Sequence, residues 1–519
     1  LFVDPIIAHL MQKGNADTSI TAPSGGLWRQ LGAAAFSGTI LALAMPTPGF
    51  WPLAWFGLIP LLLTLKDAST RTAIATGSVA GLVYYGIVLS WMRIFGYLPW
   101  AALAAVQSVG FAMFALTAAR LAPSKTGSAG YLLVPAAWTM LQWLRSLGPY
   151  GFTWASLAHS QANAAAFAQI ASVTGPWGLD YIVCAANLLV AQAIANGELR
   201  GFAVAAGLFL TSHFAGYGIV LLTPISKPVT RVAIIQGNVK QDVVPDVGYV
   251  TRTLDTYTTI SRQVACSQPD LIVWPETTLP TPLNHTVIEP RLSALARELR
   301  AGLLIGAYDT PGPPLAPSYN AAFSYDQHGR RQDVYHKVHL VPYGEFVPLR
   351  KLMPFLKNYA VRDQDVLAGH SYDPIRSQIG KIGVCICFES IFPQIARYQA
   401  RKGAKALVVL TNDAWFLRTD AAKQHLAMAQ LRAIENRRYL VRAAATGISA
   451  IVDPFGRTKA ATNIFERSIV TSNISLLHTP TIYTQFGDYF AYACTLAVTA
   501  AWFARRRFHK SDRVIKYPA

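Results

Sequence analysis

Apolar and polar positions divide this chain into two kinds of territory. From Leu31 to Leu222 only ten residues are charged: Lys66, Asp67, Arg71, Arg93, Arg120, Lys125, Arg145, Asp180, Glu198 and Arg200. Apolar stretches lie between them, near 31–46, 51–65, 72–95, 97–119, 129–147, 163–195 and 201–222. A helix that crosses a bilayer needs about 20 apolar residues, so these stretches read as spans. The first two are short and are separated by Pro46, Pro48 and Pro52, which predicts a tight hairpin. The sixth is interrupted by Gly175-Pro176-Trp177-Gly178, which predicts one span with an interfacial approach segment. Asp180 is expected at a helix end among the headgroups. An eighth stretch, about 487–504, precedes the tail Arg505-Arg506-Arg507-Phe508-His509-Lys510.

Residues 223–484 follow another rhythm. Strand-like runs occur at 230–236, 270–274, 302–308, 320–325, 381–388, 404–411 and 448–453, with helical patterns near 249–265, 287–300, 391–402 and 420–437. Strands alternating with helices predict an α/β domain, layered α-β-β-α. The expected fold class is a polytopic α-helical membrane domain of about eight transmembrane helices plus this α/β sandwich.

Composition agrees with a membrane protein. The 519 residues are 52% hydrophobic and 14% charged, against about 25% charged in soluble proteins. A net charge of +18 suggests nucleic acid at first sight. The basic residues cluster beside apolar spans instead, which fits the positive-inside bias, with the bilayer and its anionic headgroups as partner and no nucleic acid. Arg29, the Lys66/Arg71 loop, the Arg120/Lys125 loop, Arg200 and the tail share one side only if seven spans precede residue 222 and one follows 485. That side is expected to be the cytoplasm, which places 223–484 outside it. The expected divisions are 1–28 (cytoplasmic segment), 29–222 (seven spans), 223–484 (extracytoplasmic domain), 485–504 (final span) and 505–519 (basic tail). No cleavable signal-peptide pattern precedes the first span.

Five cysteines, with no CxxC pair, make neither a disulfide framework nor a metal site. His336, His339 and His425 lack companion ligands at suitable spacing, so no metal or other cofactor is expected. Three strand ends carry reactive groups. Trp274-Pro275-Glu276 sets a carboxylate just past an apolar run. Lys337 precedes Glu345 by eight residues. Val384-Cys385-Ile386-Cys387-Phe388-Glu389 holds two candidate thiols, which alternation alone places on one face. A thiol nucleophile needs a base, and an acyl substrate needs positive charge where its oxyanion forms. A carboxylate, an ammonium and a thiol supply these without histidine or metal.

Glu, Lys and Cys in this order and with these flanks resemble the carbon–nitrogen hydrolase (nitrilase) superfamily from about Arg231 to Ser475. The resemblance implies a nitrilase-like sandwich in which Glu276 is the general base, Lys337 stabilises the oxyanion and Cys387 is the nucleophile. It selects Cys387 because that residue precedes an aromatic-acidic pair and lies six residues before Pro393. Glu345 and Glu389 then support the site, beside Phe388 where relatives often carry Tyr. A membrane block followed by one such domain and a final span resembles the apolipoprotein N-acyltransferase family of the bacterial inner membrane. Its further marks are Gln236-Gly237-Asn238, Asn412-Asp413-Ala414-Trp415-Phe416 and the run from Gln424-His425 to Glu435-Asn436. The implied reaction carries an acyl chain from a phospholipid donor, through a Cys thioester, to the α-amino group of a diacylglyceryl apolipoprotein. A membrane-tethered amidase releasing its acyl group to water is the alternative. Tyr343, Trp415, Met353 and Phe355 are candidate substrate contacts, and the apolar-basic run 346–357 is expected to form a membrane-dipping arm.

Overall fold

The computed structural model describes residues 26–239, 247–283, 287–313, 316–348 and 365–514. Side chains of the last helix are described through Arg505. Met353 and Phe355, with most of the expected arm, lie outside the described residues.

Every apolar stretch expected to span is helical. In chain order these are α1 (Leu27–Ala44), two short helical turns over Trp51–Trp55 and Ile59–Thr64, α2 (Thr70–Val88), α3 (Tyr97–Leu121), α4 (Gly130–Leu144), α5 (Pro176–Asn196) and α6 (Leu199–Leu222). Among the described residues, three helices are long and apolar enough to cross a membrane, namely α3, α5 and α6. Close packing relies on small residues. A Cβ on Gly77 of α2 would sit 2.6 Å from the Phe111 carbonyl of α3. The sixth stretch breaks at Gly175, whose φ is +69°. Short turns (157–174) lead into α5 from Pro176, which suits the first turn because it needs no N–H partner there. Asp180 departs from expectation. It is buried in α5, where its carboxylate accepts the Ser156 hydroxyl at 2.6 Å and the Ala158 N–H at 3.1 Å. An acidic side chain in apolar surroundings is retained by such donors, not by headgroups.

Two sheets build the second half. One runs β13 (Ser468–Ile474), β1 (Thr230–Gln236), β2 (Leu271–Val273), β4 (Gly302–Asp309), β5 (Tyr319–Tyr325), β6 (Arg331–His336), with β3 (Leu279–Pro282) on β4. The other runs β12 (Thr458–Ala461), β11 (Ala450–Val452), β10 (Leu440–Ala444), β9 (Ala406–Thr411), β8 (Gly380–Ile386), β7 (Ile375–Ser377). Their inner faces meet in one core that contains Val232, Val273 and Leu304 from the first sheet with Val384, Val408 and Val441 from the second. Helices α7 (Val247–Gln263) and α8 (Ile288–Leu299) cover the first sheet. Helices α9 (Pro393–Arg401) and α10 (Ala421–Asn436) cover the second, completing α-β-β-α. That last cluster does not stop at α10. It continues without a break into the membrane half, joining Leu407 and Val409 to Trp154, Phe111 and Leu41. The chain closes with α11 (Tyr489–Val514).

Candidate active site

The parallel strands β2, β8 and β9 end on the same rim, and the residues just beyond them meet there. Glu276 follows β2 after Pro275. Its Oε1 accepts Asn320 Nδ2 at 2.8 Å and Lys337 Nζ at 3.4 Å, and its Oε2 accepts the Asn412 N–H just past β9 at 2.8 Å. Lys337 follows β6 and is 1% exposed, so its ammonium must be paired to stay charged. It donates to Glu345 Oε1 at 2.9 Å as well as to Glu276. Burial alone would lower this ammonium, but the Glu345 and Glu276 carboxylates outweigh burial and hold it above the usual lysine range. Burial opposes ionisation of Glu345 in turn. Lys337, the Val341 N–H at 2.9 Å and Asn320 at 3.1 Å overcome it and hold that carboxyl below the usual range.

Cys387 sits where β8 gives way to a single helical turn, Cys387–Ile391. Its φ is +53°, a left-handed conformation that costs a side-chain-bearing residue about 1–2 kcal/mol. This corrects the expectation that the two thiols share a face. Cys385 keeps the strand alternation and is buried against α9, reaching Gln399 Oε1 at 3.7 Å. Cys387 turns out of the alternation and packs on the opposite side, against the core between the sheets. It remains partly exposed. Burial and the nearby Glu276 push its thiol up, while Lys337 pulls it down.

Among the described residues Glu389 forms no salt bridge. One oxygen accepts the Val338 and His339 N–H groups at 2.8 and 3.1 Å and the Tyr335 hydroxyl at 2.9 Å, and the other accepts the Ile386 N–H at 2.8 Å. It thereby ties the strand end of Lys337 to that of Cys387. Burial pushes its carboxyl up to about 7 against these donors. Phe388 is buried with ring centroids 5.2 Å from Phe392 and 5.7 Å from His339. Tyr343 and Trp415, on the segments that follow Lys337 and Asn412, are 39% and 41% exposed. Phe346, the described start of the expected arm, stacks on Tyr150 of the membrane half with centroids 6.4 Å apart.

Two groups escaped the sequence reading. Asn320, at the start of β5, bridges the two glutamates, and a lone Asn opening a strand carries no signal for that. Below the thiol, His425 Nε2 lies 3.2 Å from the Cys387 carbonyl and 2.8 Å from Ser390 Oγ. Its Nδ1 faces Asp413 Oδ1 at 3.2 Å, and Arg442 Nη2 donates to Asp413 Oδ2 at 2.7 Å. Arg442 breaks the apolar pattern of β10, and that buried break was the available clue.

The matching family models divide at the same place as the fold. An apolipoprotein N-acyltransferase N-terminal domain matches 37–189, and a carbon-nitrogen hydrolase domain matches 231–479. The apolipoprotein N-acyltransferase of Geobacter metallireducens is 35% identical over 504 residues, covering 91% of this chain and 95% of its own. That of Gloeobacter violaceus is 32% identical, covering 88% and 90%. That of Methylococcus capsulatus is 31% identical, covering 92% and 96%.

Proposed function

The chain belongs to the apolipoprotein N-acyltransferase family, and from that premise we propose how its buried site moves an acyl chain. It is an acyltransferase that N-acylates lipoproteins. The donor is a membrane phospholipid and the acceptor is the α-amino group of an N-terminal diacylglyceryl-cysteine. Glu276 takes the Cys387 proton as the sulfur attacks the ester carbonyl. Lys337, held by Glu345, faces the oxyanion. Glu276 returns the proton to the leaving lysophospholipid oxygen. The acceptor amine then attacks the thioester and gives its proton to Glu276, which passes it to the departing Cys387 sulfur and so restores the thiol. The observation that carries this reading is the buried Lys337, bonded to two carboxylates and near enough to the thiol to bear on its ionisation.

Both substrates are lipids, so a site held at the bilayer makes their encounter nearly two-dimensional. We assign eight spans: α1, the Trp51–Thr64 hairpin arm, α2 to α6 and the start of α11. Residues 29–222 and 485–504 form the membrane domain, and 223–484 the catalytic domain. Loop charge supports an extracytoplasmic catalytic domain in the inner membrane, with segment 1–28 and tail 505–519 cytoplasmic. The exposed Tyr343 and Trp415, together with Met353 and Phe355, are assigned to lipid contact.

Intact-mass measurement of the full chain after incubation with phospholipid tests the reading. The expected result is one acyl adduct, removed by hydroxylamine, absent in Cys387→Ser, and passed to a diacylglyceryl peptide. An adduct persisting in Cys387→Ser defeats the assignment of the nucleophile. An adduct lost only to water, with the peptide present, points to the amidase.

A further inference from the structure

We infer that Arg145 and Thr153, both from the membrane half, are positioning residues for the turn that carries Cys387. The inference rests on the reading of Cys387 as nucleophile. A left-handed residue persists only where its surroundings over-determine it, and the Cys387–Ile391 turn is gripped at both ends. The Cys387 carbonyl faces His425 and accepts from Ser390 Oγ at 2.8 Å. At the other end the Ile391 carbonyl accepts Arg432 Nη1 and Thr153 Oγ1, each at 2.8 Å. Of these groups only Thr153 comes from outside the catalytic domain, and it is 4% exposed.

Thr153 is itself held. The partly buried Arg145, at the end of α4, donates from Nη2 to the carbonyls on either side of it, Phe152 O at 3.1 Å and Trp154 O at 2.8 Å. Gln107 and Gln142 accept from its other nitrogens at 2.9 and 2.5 Å, so the guanidinium cannot swing away. The Phe152 N–H returns to the Arg145 carbonyl at 2.7 Å and closes the loop. From the catalytic side Gln394 donates to the neighbouring Ser146 carbonyl at 3.0 Å. A planar fork is what this geometry uses, and a lysine ammonium does not reproduce it. Arg145 thus sets the backbone that aims Thr153, and Thr153 sets one end of the nucleophile turn. The membrane half supplies catalytic geometry as well as an anchor.

The test uses the full chain in phospholipid nanodiscs, with variants matched for size-exclusion profile and melting. Thr153→Val and Thr153→Ala are run together, so that a methyl in the hydroxyl's place or one small void is not mistaken for the lost hydroxyl. Arg145→Lys supplies a third, independent probe. Thioester formation at saturating phospholipid is expected to slow about tenfold in all three, since sub-ångström misplacement of a reacting group costs rate. The half-saturating phospholipid concentration is expected to move less than about twofold, and Thr153→Ser is expected to restore the rate. Wild-type rates in the Thr153 variants overturn the inference, as does Thr153→Ser as slow as Thr153→Val, or a change confined to half-saturation. Cys387→Ser is measured in parallel. An adduct there defeats the nucleophile assignment. Its absence beside fast Thr153 variants defeats only the positioning role.

Discussion

At the scale of single residues, the site concentrates charge where water is scarce. Glu276, Lys337, Asn320 and Glu389 are each less than a tenth exposed, and each is held by hydrogen bonds. Removing one member of such a set leaves the others uncompensated. Lys337→Met strands two buried carboxylates, so it should destabilise the chain by about 3–5 kcal/mol as well as abolish the adduct. A melting curve and the intact mass read the two effects separately. Glu389 gives a pH prediction. Its folded carboxyl is raised to about 7, above the ordinary value of about 4.3. Between those values the folded chain keeps a proton that the unfolded chain has released. The contribution is therefore fully present below the ordinary value and is lost as pH rises through about 7. The melting midpoint should fall from pH 6 to pH 8, and Glu389→Gln should flatten that limb. An equal fall in the variant would assign it to other groups. Glu276 and Cys387 were legible as candidates because each follows an apolar run, and Lys337, after the polar β6, through its spacing to Glu345 and the order of the three groups. Asn320 and the Asp413–His425–Arg442 group were not, because their meaning lies in partners distant along the chain.

At the scale of elements, alternation predicted most strands closely. The run 230–236 coincides with β1, and 302–308 falls within Gly302–Asp309. The strands it passed over are short, polar or broken. β7 has three residues, β12 is mostly exposed, and β10 carries the buried Arg442. The instructive miss is the end of β8, where alternation runs on through Cys387 but the backbone does not. Its positive φ belongs to the turn, and glycine accepts that conformation without the Cβ penalty. Cys387→Gly and Cys387→Ala should both lose the acyl adduct. The glycine variant should nevertheless be the more stable by about 1 kcal/mol, read as a higher melting midpoint. The reverse order would mean that the turn relaxes once the sulfur is gone.

At the scale of the molecule, the two halves share one apolar core, and the polar contacts across it are buried. Trp154 Nε1 donates to Gln424 at 2.7 Å, Gln424 Nε2 to the Val88 carbonyl at 3.2 Å, and Arg437 to Gln169 and Ser172 at 2.5 and 3.2 Å. Composition sets the two halves apart along the chain, but it carries no sign of the core they share. Nothing in a single pattern reveals that α10, with buried residues around most of its circumference, has the second sheet on one side and the membrane half on the other. A helix covered all round has no solvent face to keep a severed domain in solution. Residues 223–484 expressed alone should therefore expose the side of α10 that meets Trp154 and Phe167. The fragment should elute as aggregate without detergent and fail to form the Cys387 adduct with a soluble short-chain ester. Adding residues 29–222 as a separate chain in the same membrane should recover part of that reaction, because it returns both the apolar cover and the Thr153 contact. A monodisperse, reactive fragment would show instead that the catalytic domain completes its own nucleophile turn, and that the shared core serves only to hold it at the bilayer.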